Sequence, residues 1–186
     1  MTMNHLYQLQ QRSGRMPSPF RQRGASLLEG IAYLGIAAVV VLGAVSLLGG
    51  AFSSAKSNQA TEEAVAMRTA VRKLYIGQSY PVESLVPTLI AANAIPGTLA
   101  RNTEGNALKN SWGGAVTVMG TAAGFEITYA AVPKDVCVNL ISGASGWVEI
   151  SGGGKAITSF PVSVSDATTV CTVAGGAGNA VTFKGA

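Results

Sequence analysis

The sequence predicts an α+β protein, with one long N-terminal helix over about residues 26–76 laid against a C-terminal antiparallel β-sheet. Three observations predict it. Gly30–Ala55 is a run of 26 residues without a charge. Beyond it, Ala60, Ala64, Met67, Val71 and Leu74 recur at spacings of 4, 3, 4 and 3, an apolar stripe along one helix face. After Trp112 the pattern changes to short β-rich segments separated by glycine-rich turns. A helix followed by a run of strands points to helix-on-sheet packing.

The first 24 residues are polar and basic, and Pro17 and Pro19 interrupt any helix there. Arg12, Arg15, Arg21 and Arg23 precede Ala25, and no acidic residue does. From Ala25 onward nine basic side chains face nine acidic ones, so the net charge of +4 belongs to the leader. That location argues against a nucleic-acid surface, which would need the charge on a folded face. As a helix, the uncharged run is about 39 Å long at ~1.5 Å per residue, enough to cross a hydrocarbon core of roughly 30 Å. Gly30, Gly35, Gly43, Gly49 and Gly50 are tolerated in lipid, where small residues also let helices approach closely. Basic residues before the span place the N-terminus in the cytoplasm and the remainder outside. An exported pair of cysteines, Cys137 and Cys171, is read there as one disulfide. It closes a loop of about 35 residues, worth roughly 4 kcal/mol in the chain-entropy account.

Residues 25–55 thus form a transmembrane half of the helix and 56–76 an amphipathic half. Lys56, Glu62, Glu63, Arg68, Arg72 and Lys73 are expected off the apolar stripe, and Gly77 and Pro81 end the pattern. Residues 77–112 are a connector with a short helix expected near 82–93. Residues 113–186 are the sheet domain, with strands expected at 115–119, 125–132, 135–141, 147–150, 159–164, 168–173 and 180–183. In the second of these, Phe125, Ile127, Tyr129 and Ala131 share a face opposite Glu126 and Thr128, the alternation of a half-buried antiparallel strand.

Catalytic chemistry finds little to stand on. The one histidine is His5, inside the leader, so a Ser-His-Asp triad and histidine-ligated metal sites are not expected. Gly152, Gly153, Gly154 and Lys155 are followed by Ala156, which lacks the hydroxyl and the spacing of a phosphate loop. The carboxylates are scattered. We predict no enzyme, no catalytic residue, no metal and no cofactor.

The informative residues lie at the leader boundary, in RQRGASLLEGIAYLGIAAVVVL. In a secretory signal the small-residue cleavage site follows an apolar core of about 7–15 residues. Here Gly24-Ala25-Ser26 precedes a much longer run. The order of basic leader, glycine, glutamate five residues on, and unbroken apolar helix resembles the type IV prepilin family. GASLLEGIAYLGIAAVVVLGAV, AVRKLYIGQ and ITYAAVPKDVCVNLISG are similar to PilS-type type IVb pilins, as in conjugative-plasmid thin pili and related enterobacterial pili. The leader length and the Ala25 start also resemble the type IVb group; a start at alanine leaves N-methylation unassigned.

The resemblance implies a type IV pilin fold and a major pilus subunit. A prepilin peptidase would cut between Gly24 and Ala25. An inner-membrane assembly platform with its ATPase, and an outer-membrane secretin, would be further partners. The precursor would sit in the bacterial inner membrane with its C-terminal domain in the periplasm, and the product in an extracellular filament serving adhesion, cell–cell contact or conjugative mating. The disulfide-bounded region 137–171 would be exposed on the filament, with Gly143, Ser145, Gly152 and Gly154 as candidate surface contacts. A type II secretion pseudopilin or minor pilin is the alternative, and a single-pass anchored periplasmic binding domain the second. A buried unpaired carboxylate at Glu29 is costly in an apolar helix. The α-amine freed at Ala25, with a reference pKa of about 8, belongs on the Glu29 of a neighbouring subunit, where the ion pair sets the stagger of the helices. We expect the Glu29→Ala precursor to be made and cleaved but not assembled. Normal filament yield from that variant would refute the register role.

Overall fold

Helix α1 extends from Leu27 to Leu74 in the computed structural model, which describes residues 27–102 and 104–186. The leader, Gly24 and Ala25 lie outside the described residues. One compact unit ends at Gly43, and its described part is helix alone. The second spans Ala44–Ala186 and holds the sheet.

In the second unit α1 buries Ala60, Ala64, Met67 and Val71, the stripe expected from the sequence, in one core with Phe125, Ile127, Tyr129, Val181 and Phe183 of the sheet. Glu63 corrects that expectation. It was placed off the stripe, yet it is only 3% exposed. Its place follows from helical spacing, three residues after Ala60 and four before Met67, at the edge of the covered face. The connector contains α2 (Val86–Ala91), shorter than expected, with Pro87 in its first turn where no backbone donor is lost.

The sheet has seven strands in the order β1-β2-β3-β4-β7-β5-β6, every neighbouring pair antiparallel. They are β1 (Ala100–Arg101), β2 (Leu108–Lys109), β3 (Ala115–Thr121), β4 (Gly124–Val132), β5 (Glu149–Gly152), β6 (Lys155–Ile157) and β7 (Asn179–Gly185). The alternation read in β4 holds for Phe125, Ile127 and Tyr129 and then breaks. A register shift between Tyr129 and Val132 puts Ala131 at φ 56° and turns Val132 into the core instead. Gly178 packs on this bulge at φ +62°, where an added Cβ would lie 2.4 Å from the Ala131 carbonyl carbon. Asn179 fastens the same corner, donating to the Val132 and Val173 carbonyls at 3.2 and 3.0 Å.

Three expected strands are not strands. Residues 135–141 belong to α3 (Lys134–Ser142), which buries Val136, Cys137, Leu140 and Ile141 at helical spacing. Pro133 opens this helix and Gly143 caps it. Residues 159–164 form no strand, and 168–173 fall largely in α4 (Val164–Val170). Ser163 caps α4: its Oγ accepts from the Asp166 N–H at 3.1 Å and donates to the Asp166 carboxylate at 2.7 Å. β-branched residues dominated both segments and suggested strands. Their helix penalty is under about 1 kcal/mol per residue, which four buried side chains in α3, and a cap with two buried side chains in α4, outweigh.

Cys137 and Cys171 are bonded, with Cα atoms 5.9 Å apart, so the staple joins α3 to the C-terminal cap of α4 rather than two strands. Replacing both cysteines by serine should lower the unfolding free energy of the full-length chain in detergent by about 4 kcal/mol. Chemical denaturation checks this, and an unchanged midpoint would show that the loop is ordered without the bond.

Candidate functional site

The first half of α1 and the sheet-covered second half differ completely in exposure. Fourteen large apolar or aromatic side chains between Leu27 and Phe52 are exposed, among them Leu27 at 84% and Leu47 at 79%. Glu29 stands in the first turn of the helix and is also exposed. A carboxylate there complements the positive end of the helix dipole. The sheet unit starts to engage α1 at Ser53, whose hydroxyl donates to the Asp135 carboxylate at the start of α3. That bond holds the Asp135 carboxyl below its ordinary value, with partial burial opposing. Ser57 is buried one turn later.

Two side chains of α1, Gln59 and Arg68, then fasten it to the rest of the unit. Glu63 accepts from the Gln59 amide at 2.8 Å, and the same amide nitrogen lies 2.9 Å from Ser111 Oγ. Beneath it the Tyr129 hydroxyl is buried and makes no hydrogen bond among the described residues. Burial, with the Glu63 charge adding to it, pushes the Tyr129 phenol well above its ordinary value. Arg68 is the second fastener. Its guanidinium lies 5.0 Å from the Trp147 ring centre and donates through Nη1 to the Ser145 carbonyl at 2.7 Å. Gly146, at φ +74°, makes room: a Cβ there would stand 2.4 Å from Arg68 Nη1. On the outer sheet face Lys184 bridges Glu149 at 2.8 Å and Glu126 at 3.6 Å. The hydrogen bond to Glu149 leads the effects that raise its pKa.

Of the glycine-rich positions expected at the surface, Gly143, Ser145 and Gly154 are exposed and Gly152 is half-buried. They do not converge on one patch of the chain's secondary structure. Gly143 caps α3 and Ser145 belongs to the loop held by Arg68, whereas Gly152 ends β5 and Gly154 turns the β5–β6 hairpin. Gly152 packs tightly, since a Cβ there would lie 2.5 Å from the Ala180 carbonyl oxygen. Sequence reasoning missed Arg68 and Gln59 as fasteners and the burial of Glu63. The helical phase of Glu63 was available as a signal, whereas nothing local pairs Arg68 with a loop 77 residues away. Among the described residues no cluster of three or more His, Cys, Asp or Glu could hold a metal.

Comparison with known proteins points one way. A family described as "PilS N terminal" matches residues 54–185. Major structural subunits of bundle-forming pilus from Escherichia coli O127:H6 (strain E2348/69 / EPEC) and Escherichia coli O111:H- are each 34% identical over 158 residues, covering 78% of this chain and 80% of theirs. The crystal structure of type IV b pilin from Salmonella typhi is similar with a TM-score of 0.53 and 26% identity, over 68% of this chain and 95% of that one.

The unpartnered Tyr129 hydroxyl generates a prediction with a definite sign. A phenol whose folded pKa is raised contributes stability in full below its unfolded value of about 10 and loses it as pH rises further. Tyr129→Phe should match or exceed the wild type at neutral pH, by up to about 1 kcal/mol, and should lose less stability under alkaline conditions. Denaturation midpoints at neutral and alkaline pH test this. A variant destabilised at neutral pH would mean that the hydroxyl has a partner after all.

Proposed function

The chain belongs to the PilS family of type IVb pilins, and from that premise we propose that it is the major structural subunit of a type IVb pilus. It is a structural protein and not an enzyme. The observation that carries the reading is the exposed apolar half of α1. Fourteen side chains of that size, at about 1.5–3 kcal/mol each when left in water, represent more than roughly 20 kcal/mol. The total stability of a domain is only about 5–15 kcal/mol. Such a surface needs lipid or identical helices around it.

The precursor holds this half in the inner membrane. A prepilin peptidase cuts after Gly24, and the assembly platform, with its ATPase, moves the apolar half from lipid into a filament of copies. Lipid and neighbouring helices are both apolar surroundings, so the transfer carries little hydrophobic penalty. Register comes from the Ala25 amine of one subunit meeting Glu29 of the next. The filament leaves through the secretin, with the sheet units outward. Exposure of Gly143, Ser145 and Gly154 supports their use as surface contacts; Gly152 acts by shaping the hairpin.

N-terminal sequencing and intact mass of material sheared from cells expressing the chain test this. Filaments beginning Ala-Ser-Leu-Leu-Glu are expected, with the mass reporting the disulfide and any N-methyl group. Cleaved protein retained in the envelope would favour a pseudopilin or minor pilin. Uncleaved protein in a peptidase-competent host would mean an anchored domain.

A further inference from the structure

The side of α1 turned away from the sheet has a pattern of its own. Asn58, Glu62, Val65, Thr69 and Arg72 recur at spacings of 4, 3, 4 and 3, and all are exposed. They form a stripe opposite the buried one. Its centre is small and apolar for a water-facing helix: Val65 and Ala66, with the Thr69 hydroxyl turned back onto the Val65 carbonyl at 2.8 Å. Its ends are charged with opposite signs. Neither Glu62 nor Arg72 has an ion-pair partner among the described residues.

Ten residues separate the two charges, about 15 Å along a helix at ~1.5 Å per residue. Pairing within one helix requires three or four residues, so Glu62 and Arg72 of a single chain cannot meet. Glu62 also lines a cleft of about 400 Å³ with Ser54, Ser57, Asn58, Thr61 and Asn139. Every one of these side chains offers an oxygen acceptor beside the carboxylate. A guanidinium, with five donors and no acceptor, is the group such a cleft suits.

We propose that this cleft receives Arg72 of a second copy, lying parallel and displaced by about 15 Å along the axis. By the same ten-residue offset, residues 65–69 of the displaced copy would then lie alongside residues 55–59 of the first. The contact rests on the pilus-subunit reading and gives it a second axial register, independent of Glu29 and Ala25. Among the parallel helices of a filament, the opposed charges select this one displacement. An unshifted parallel pair instead sets Glu62 beside Glu62 and Arg72 beside Arg72, which is repulsive.

The test uses the full-length chain in its assembly-competent host, comparing Glu62→Arg, Arg72→Glu and the combined charge exchange. Each single reversal should be cleaved normally and lower sheared-filament yield at least fivefold, and the exchange should restore yield to within twofold. Separately, Glu62→Cys with Arg72→Cys should give an oxidant-dependent ladder of cross-linked subunits in sheared filaments, on a background where the native cysteines are already bonded. Wild-type yield from both single reversals would overturn the contact, and so would their loss without either rescue or ladder. Absence of filaments from the wild-type chain would instead overturn the pilus-subunit reading itself.

Discussion

Everything in the sheet unit depends on covering one face of α1. Ala60, Ala64, Met67 and Val71 present small and medium side chains, so the helix lies close to the sheet. Three rings of the sheet, Phe125, Tyr129 and Phe183, and three from the segments beside it answer that face. Tyr75, Tyr80, Phe125, Trp147, Phe183 and Tyr129 follow one another at centroid separations of 5.0–6.5 Å. Small residues on the helix leave room for these aromatics in one core. The opposite face of the same helix is left free, which a polymerising subunit needs.

That cover is assembled from distant parts of the chain. β7, the last strand, sits between β4 and β5. Between leaving β4 and returning as β7, the chain builds α3, the β5–β6 hairpin and α4. Such an excursion has a large entropy to lose on ordering. The Cys137–Cys171 bond ties its two helices, and Asn179 ties its end to the β4 bulge. Arg68 adds the remaining link, holding the loop after α3 against α1. The segment is therefore braced from behind while Gly143, Ser145 and Gly154 face solvent.

Polar groups on α1 divide according to what surrounds them. Glu63 is accommodated under the sheet only because Gln59 reaches it, since a buried carboxylate without a donor is costly. Its neighbour Glu62, one residue earlier, faces outward beside a cleft of hydroxyl and amide groups. A 100° turn of helix separates a structural carboxylate from one available to a partner.

The sequence by itself determined the apolar run, the buried stripe of α1, the presence of the strands β3, β4 and β7, and the pairing of its two cysteines. Each of these is a local signal: a period of 3.6 or 2, an uncharged length, or a count of two. The leader motif expected at Gly24 and Glu29 is a signal of the same kind, since its information lies in the order of neighbouring residues. Only the tertiary structure decided that 134–142 and 164–170 are helices. Valine-rich segments carry a weak local preference, and burial of Val136, Leu140, Ala167 and Val170 overrides it. It alone also decided the bulge at Ala131, the burial of Glu63 and the bond from Arg68 to Ser145. These depend on groups brought together from far along the chain, and no local pattern encodes which distant atom will be there to meet them.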